Sequence, residues 1–101
     1  MTKEVHIHIP EQPIAEICQR YGVVRLSLFG SVLRDDFSPT SDIDILVEFP
    51  ENQTPSLFEL GGLLMDLQAL ISRPIDLKTP AFLSDRFRDQ VLREVRTVYA
   101  A

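Results

Sequence analysis

The sequence predicts a two-layer α+β fold, one small β-sheet with helices packed against it, on three observations. Segments with apolar residues at helical spacing alternate with segments that alternate apolar and polar, in the order αβ(α)βαβα. Turn signals punctuate the switches: Gly22, Gly30, the stretch ENQTP and Pro74 each fall between two periodic runs. A hydrophobic content of 45% with 25% charged residues is ordinary for a folded globular chain.

Each element has its own signal. Pro13 suits the first residue of a helix, Ile14, Ile17, Cys18 and Tyr21 recur at helical spacing, and Gly22 terminates the run. Val23 to Phe29 reads as a strand with Val24, Leu26 and Leu28 on one side, and Gly30-Ser31 then opens a short helical turn. Asp42 to Phe49 is a second strand, with Ile43, Ile45, Val47 and Phe49 sharing a face. Thr54 caps and Pro55 opens a helix whose Leu57, Leu60, Leu64, Leu67 and Ile71 form the expected buried stripe. Gly61 and Gly62 mark close packing of that helix against the sheet. Pro74 to Lys78 is a short strand placed at or near an edge by its proline. Ser84 caps a last helix to about Val95, after which Thr97 to Tyr99 extends the helix or forms a fourth strand, and the strand is preferred.

At 101 residues the chain is expected to be one domain, residues 1–101, with room for a single core. The first ten residues alternate polar and apolar, and no run is long enough to span a bilayer, so neither secretion nor membrane insertion is expected. A lone cysteine, Cys18, on the core side of a helix fits a reducing compartment, and the expected location is cytoplasmic. The net charge of -5 argues against direct nucleic-acid binding, which rests on cationic contacts to phosphate. Between residues 35 and 71 stand Asp35, Asp36, Asp42, Asp44, Glu48, Glu51, Glu59 and Asp66 with no Lys or Arg, a concentration that solvation explains and that a divalent-cation site also needs.

The stretch LFGSVLRDDFSPTSDIDILV carries the candidate chemistry. Gly30, at the end of a strand, lets the backbone approach a ligand, and the amides and hydroxyl of Ser31 suit a phosphate oxygen. Asp42 and Asp44 project from one strand face with α-carbons roughly 6.8 Å apart, a spacing that serves a pair of divalent ions. A third carboxylate would complete the cluster, and Asp76 is the acid of the third strand, with Lys78 on its face. Taken singly, the Gly-Ser pair and the SDID segment are ordinary turn chemistry; their order on successive strands is what makes them specific. His6 and His8 share a face at a spacing that a metal could use, yet without a third ligand they read as the polar side of an edge strand. Arg86, Arg88, Arg93 and Arg96 give the last helix a basic character, a solvated face or a partner surface.

FGSVLRDDFSPTSDIDILVEF resembles the signature of the DNA polymerase β-like nucleotidyltransferase superfamily, Gly-Ser followed by a spacer and Asp-x-Asp, and in particular its short members, the minimal nucleotidyltransferases. The resemblance covers nearly the whole chain. It implies the polymerase β-like fold with a small mixed sheet. Gly30, Ser31 and Arg34 would bind nucleotide, while Asp42, Asp44 and Asp76 would be catalytic and hold two Mg²⁺ ions, with Mn²⁺ as a substitute. The glycine usual after the arginine is Asp35 here. The implied reaction moves AMP from ATP to an acceptor hydroxyl and releases pyrophosphate. Minimal nucleotidyltransferases are commonly encoded beside an all-helical HEPN-type toxin and act as its antitoxin by adenylylating a tyrosine. Two alternatives stand beside this reading: a non-catalytic module that neutralises its partner by contact, and a small-molecule, antibiotic-type nucleotidyltransferase completed by another subunit. Homo-oligomerisation is left open.

Overall fold

The computed structural model describes residues 9–33 and 42–101, with Ser31 and Phe82 described by backbone alone. The strand expected at His6 and His8, and Arg34 with Asp35, lie outside these residues. In chain order the elements are α1 (Glu11–Tyr21), β1 (Arg25–Phe29), a 3₁₀ turn (Gly30–Leu33), β2 (Ile43–Glu48), α2 (Leu57–Ile71), β3 (Ile75–Lys78), a second 3₁₀ turn (Pro80–Phe82), α3 (Asp85–Glu94) and β4 (Arg96–Ala100). The sheet order is β3-β2-β1-β4. β1 runs antiparallel to both β2 and β4, whereas β3 joins β2 in parallel, so the sheet is mixed. β3 follows Pro74 and takes an edge, where a missing donor costs nothing.

The fourth strand forms because α3 stops at Glu94 and Val95 is already extended, leaving Arg96, Thr97, Tyr99 and Ala100 to pair with β1. A bulge at Leu26/Ser27 shifts that register by one residue. Strand alternation then sorts side chains onto two faces. Leu26, Leu28, Ile43, Ile45 and Val47 are buried beneath α1 and α2, against Ile14, Cys18, Leu63 and Leu67. On the other face a smaller cluster joins Phe29 and Leu46 to Leu83 and Val91 of the α3 region. Burial pushes the Cys18 thiol up to about 11.

Several local expectations are corrected. α1 starts at Glu11, two residues before Pro13, because Pro10 is extended and its carbonyl accepts the Ile14 amide at 3.2 Å. Pro13 is tolerated in the first turn, where its missing N–H would have had no helical partner. α2 is capped by Ser56, not Thr54: the Ser56 hydroxyl accepts the Glu59 amide at 3.1 Å and donates to the Glu59 carboxylate at 3.3 Å. The buried side of α2 centres on Leu63 and Leu67, and Leu57 is 82% exposed. Leucines stand at helical spacing in two phases of this segment, so periodicity alone did not choose between them.

Gly62 makes room for α1 and not for the sheet. A Cβ there would lie 2.8 Å from the Tyr21 hydroxyl, which donates to Asp66 at 2.8 Å beside the Arg20–Asp66 ion pair. Among the described residues, Gly61 has no heavy atom of another element within 4 Å of the place its Cβ would occupy, so it marks no close packing there.

Candidate active site

The site forms where β1 ends. Phe29 pairs with Asp44 across the antiparallel ladder, so the next residue, Gly30, passes directly beside the Asp44 side chain. Gly30 has φ +75°, and a Cβ built on it would stand 2.2 Å from Asp44 Oδ2. No other residue could turn the chain this close to the carboxylate. The 3₁₀ turn that follows is anchored by buried Val32 and Leu33, which hold Gly30 and the Ser31 backbone at the strand end. Arg34 lies outside the described residues.

Asp42 is exposed and stands immediately ahead of β2, two residues before the half-buried Asp44. The parallel ladder sets Asp44 opposite Asp76 and Leu46 opposite Lys78, so Asp44 and Asp76 are neighbours on one face of the sheet. The register thus brings together Gly30, Asp44 and Asp76, with Asp42 at the strand head. The Asp76 carboxylate, however, is engaged within its own strand: Lys78 Nζ donates to Oδ1 at 3.3 Å. Among the described residues, no three His, Cys, Asp or Glu side chains converge closely enough to hold one ion.

The residues nonetheless suit a hard divalent cation. Carboxylate oxygens are the preferred donors of Mg²⁺ and Mn²⁺, and the Gly30 backbone leaves the space beside Asp44 that any larger residue would fill. Asp42, Asp44 and Asp76 do not line the cleft of about 600 Å³ at the other end of β2, whose walls include Phe49, Glu51, Pro55, Leu60 and Pro80. Glu48, at that end, pairs with Arg25 across the ladder, with Nη2 donating to Oε1 at 3.1 Å, and this bond holds the Arg25 guanidinium firmly protonated.

Sequence reading did not find the Arg25–Glu48 pair, whose signal appears only once the register is known. The bases of α3 turn out to have partly structural work: Arg88 donates to the carbonyls of Pro80 at 3.0 Å and Leu83 at 3.2 Å, fixing the second 3₁₀ turn against the helix.

Known proteins resemble this chain in sequence and fold. A family model described as nucleotidyltransferase domain matches residues 11–98. A protein of Methanocaldococcus jannaschii, provisionally named a protein adenylyltransferase, is 36% identical over 90 residues, spanning 89% of this chain and 95% of its own. The protein adenylyltransferase MntA of Thermococcus cleftensis is 39% identical over 80 residues, 79% of each chain. A solved structure provisionally described as a minimal nucleotidyltransferase superposes with a TM-score of 0.72 at 36% identity, covering 85% of this chain and 86% of that one. The same fold, at 22% identity and a TM-score of 0.64, occurs in a structure of a tri-AMPylated Shewanella oneidensis HEPN toxin in complex with an MNT antitoxin, covering 90% of this chain and 70% of that one. With its mixed four-stranded sheet and its Gly-Ser turn set against strand aspartates, the chain belongs to the nucleotidyltransferase domain family, as a minimal nucleotidyltransferase of the polymerase β-like superfamily.

Proposed function

We propose that this nucleotidyltransferase moves AMP from ATP to a tyrosine hydroxyl of an all-helical HEPN-type toxin and thereby serves as its antitoxin. The observation that carries the reading is the double register at Asp44, which sets it beside Gly30 on one side and Asp76 on the other. The names of the archaeal relatives and the AMPylated toxin bound to the Shewanella MNT protein support the same acceptor class.

In this reading the amides of the Gly30–Leu33 turn receive the triphosphate, with Ser31 and Arg34 as further phosphate contacts. Asp42, Asp44 and Asp76 are the residues that would hold Mg²⁺ or Mn²⁺, which when bound supplies charge neutralisation on the phosphates and acidifies the acceptor hydroxyl. Asp76 accepts the hydroxyl proton as the oxygen–phosphorus bond forms at the α-phosphate. The bond to the β-phosphate breaks, and pyrophosphate leaves. Where the toxin is a ribonuclease, as toxins of this type often are, and the tyrosine lies near its active site, an AMP group places a bulky anion where RNA phosphate would bind, excluding it by volume and charge.

The test is intact-mass measurement of a HEPN-type partner after incubation with this protein, ATP and Mg²⁺. The expected result is a partner heavier by whole AMP units, and no increase with Asp42→Asn/Asp44→Asn, which still binds the partner. A partner neutralised at unchanged mass would replace transfer with neutralisation by contact. Chelator is expected to abolish ATP binding as well, because the triphosphate would then face the carboxylates unscreened; equal calorimetric affinity with and without chelator counts against the site.

A further inference from the structure

We propose that Lys78 is a resident counter-cation of the acid cluster, a positioning residue that holds Asp76 through their ion pair and must release it when a divalent ion enters. The inference rests on reading Asp76 as one of the site's acids. Asp76 and Lys78 are two apart in β3 and so share a face, and their ion pair measures 3.3 Å. Lys78 pairs in register with the buried Leu46, so the two side chains share a face of the sheet, and the ammonium reaches back to the carboxylate. The register places that carboxylate next to Asp44, and the ammonium therefore stands beside the position that an ion shared by these acids would take.

A metal arriving alone must displace Lys78 and tolerate a positive charge a few ångströms away, both of which oppose binding. The pair is open to exchange, since its side chains are 33% and 44% exposed and such bonds are individually weak. A triphosphate entering with the ion changes the balance, because its oxygens offer the released ammonium a new acceptor. Lys78 thus couples metal loading to nucleotide loading and gives the acids low affinity for metal by itself.

The experiment measures Mn²⁺ binding without nucleotide, by the free-Mn²⁺ paramagnetic resonance signal, for the native protein, Lys78→Met, Lys78→Arg and Asp42→Asn/Asp44→Asn. Lys78→Met is expected to bind Mn²⁺ about tenfold tighter, since a unit charge beside a divalent ion is removed. Lys78→Arg should stay within about twofold of the native protein, and both should melt normally in chelator. Lys78→Gln removes the same charge and serves if the methionine variant fails to fold. Unchanged or weaker Mn²⁺ binding on loss of the lysine overturns the counter-cation role while leaving the acid site intact. Native Mn²⁺ affinity in the double aspartate variant overturns the acid site itself, and the role of Lys78 falls with it.

Discussion

The two faces of the sheet are made by the same strands and do opposite work. On the face beneath α1 and α2, Leu28, Ile43 and Ile45 are completely buried. On the other face, their immediate chain neighbours Phe29, Asp44 and Leu46 divide between a small apolar cluster and the carboxylate site. Adjacent residues of β2 thus belong to different physical regimes: aliphatic burial on one side, concentrated charge at the sheet's end on the other. The lesson is that a short chain separates stability from chemistry by the period of the β-strand, without devoting separate segments to each.

Substitution of the two neighbours Asp44 and Ile45 breaks the comparison most sharply. Asp44→Asn is expected to lower AMP transfer by at least about a hundredfold with little change in melting temperature. Ile45→Ala, one residue along, should cost about 3 kcal/mol of stability in denaturant titration. A variant pair in which both effects fell on the same residue would show that the faces are not separable.

Gly30→Ala probes the one point where the faces meet. The left-handed backbone and the contact with Asp44 Oδ2 predict a loss of about 1–2 kcal/mol together with a transfer rate lowered roughly tenfold, as Asp44 is forced to turn away. Equal transfer by this variant and the native protein would sever Gly30 from the site. Cys18, within the covered face, has the smallest effect. Burial pushes its thiol from the ordinary 9.0 up to about 11 in the folded protein, so the neutral form is favoured by folding. That contribution is fully present below about pH 9 and is lost as pH climbs toward 11. Chemical denaturation at pH 8 and pH 10.5 should show the decline, and Cys18→Ala should flatten it.

How much of this was legible in the sequence depended on whether the signal was local. The strand cores, the edge position of β3 after Pro74 and the Ser84 cap were all readable, because each is fixed by a residue's own backbone chemistry or by strict alternation. The preferred fourth strand formed as well. The phase of α2 was not readable, since a leucine-rich helix offers two apolar stripes and tertiary packing selects one. The Ser56 cap was written in S-L-F-E and obscured by the nearby Thr54-Pro55. In the site, the residue types and their order were visible. The contact of Gly30 with Asp44 and the engagement of Asp76 by Lys78 were not, because a register and a rotamer determine them.

The parallel pairing of β3 has a consequence for how the site comes into being. Gly30 and Asp44 arrive together through the antiparallel β1–β2 pairing of successive strands, whereas Asp76 reaches the same place only after α2 has crossed over and β3 has docked at an edge. An edge strand of four residues opens more readily than the interior pair it leans on. On the proposed assignment, opening of β3 alone withdraws Asp76, the proposed proton acceptor, while the Gly30–Leu33 turn proposed to take phosphate stays in place. Its signature is faster amide exchange in Ile75–Lys78 than at Leu26 and Leu28, and in such an opened molecule nucleotide capture outlives the ability to transfer.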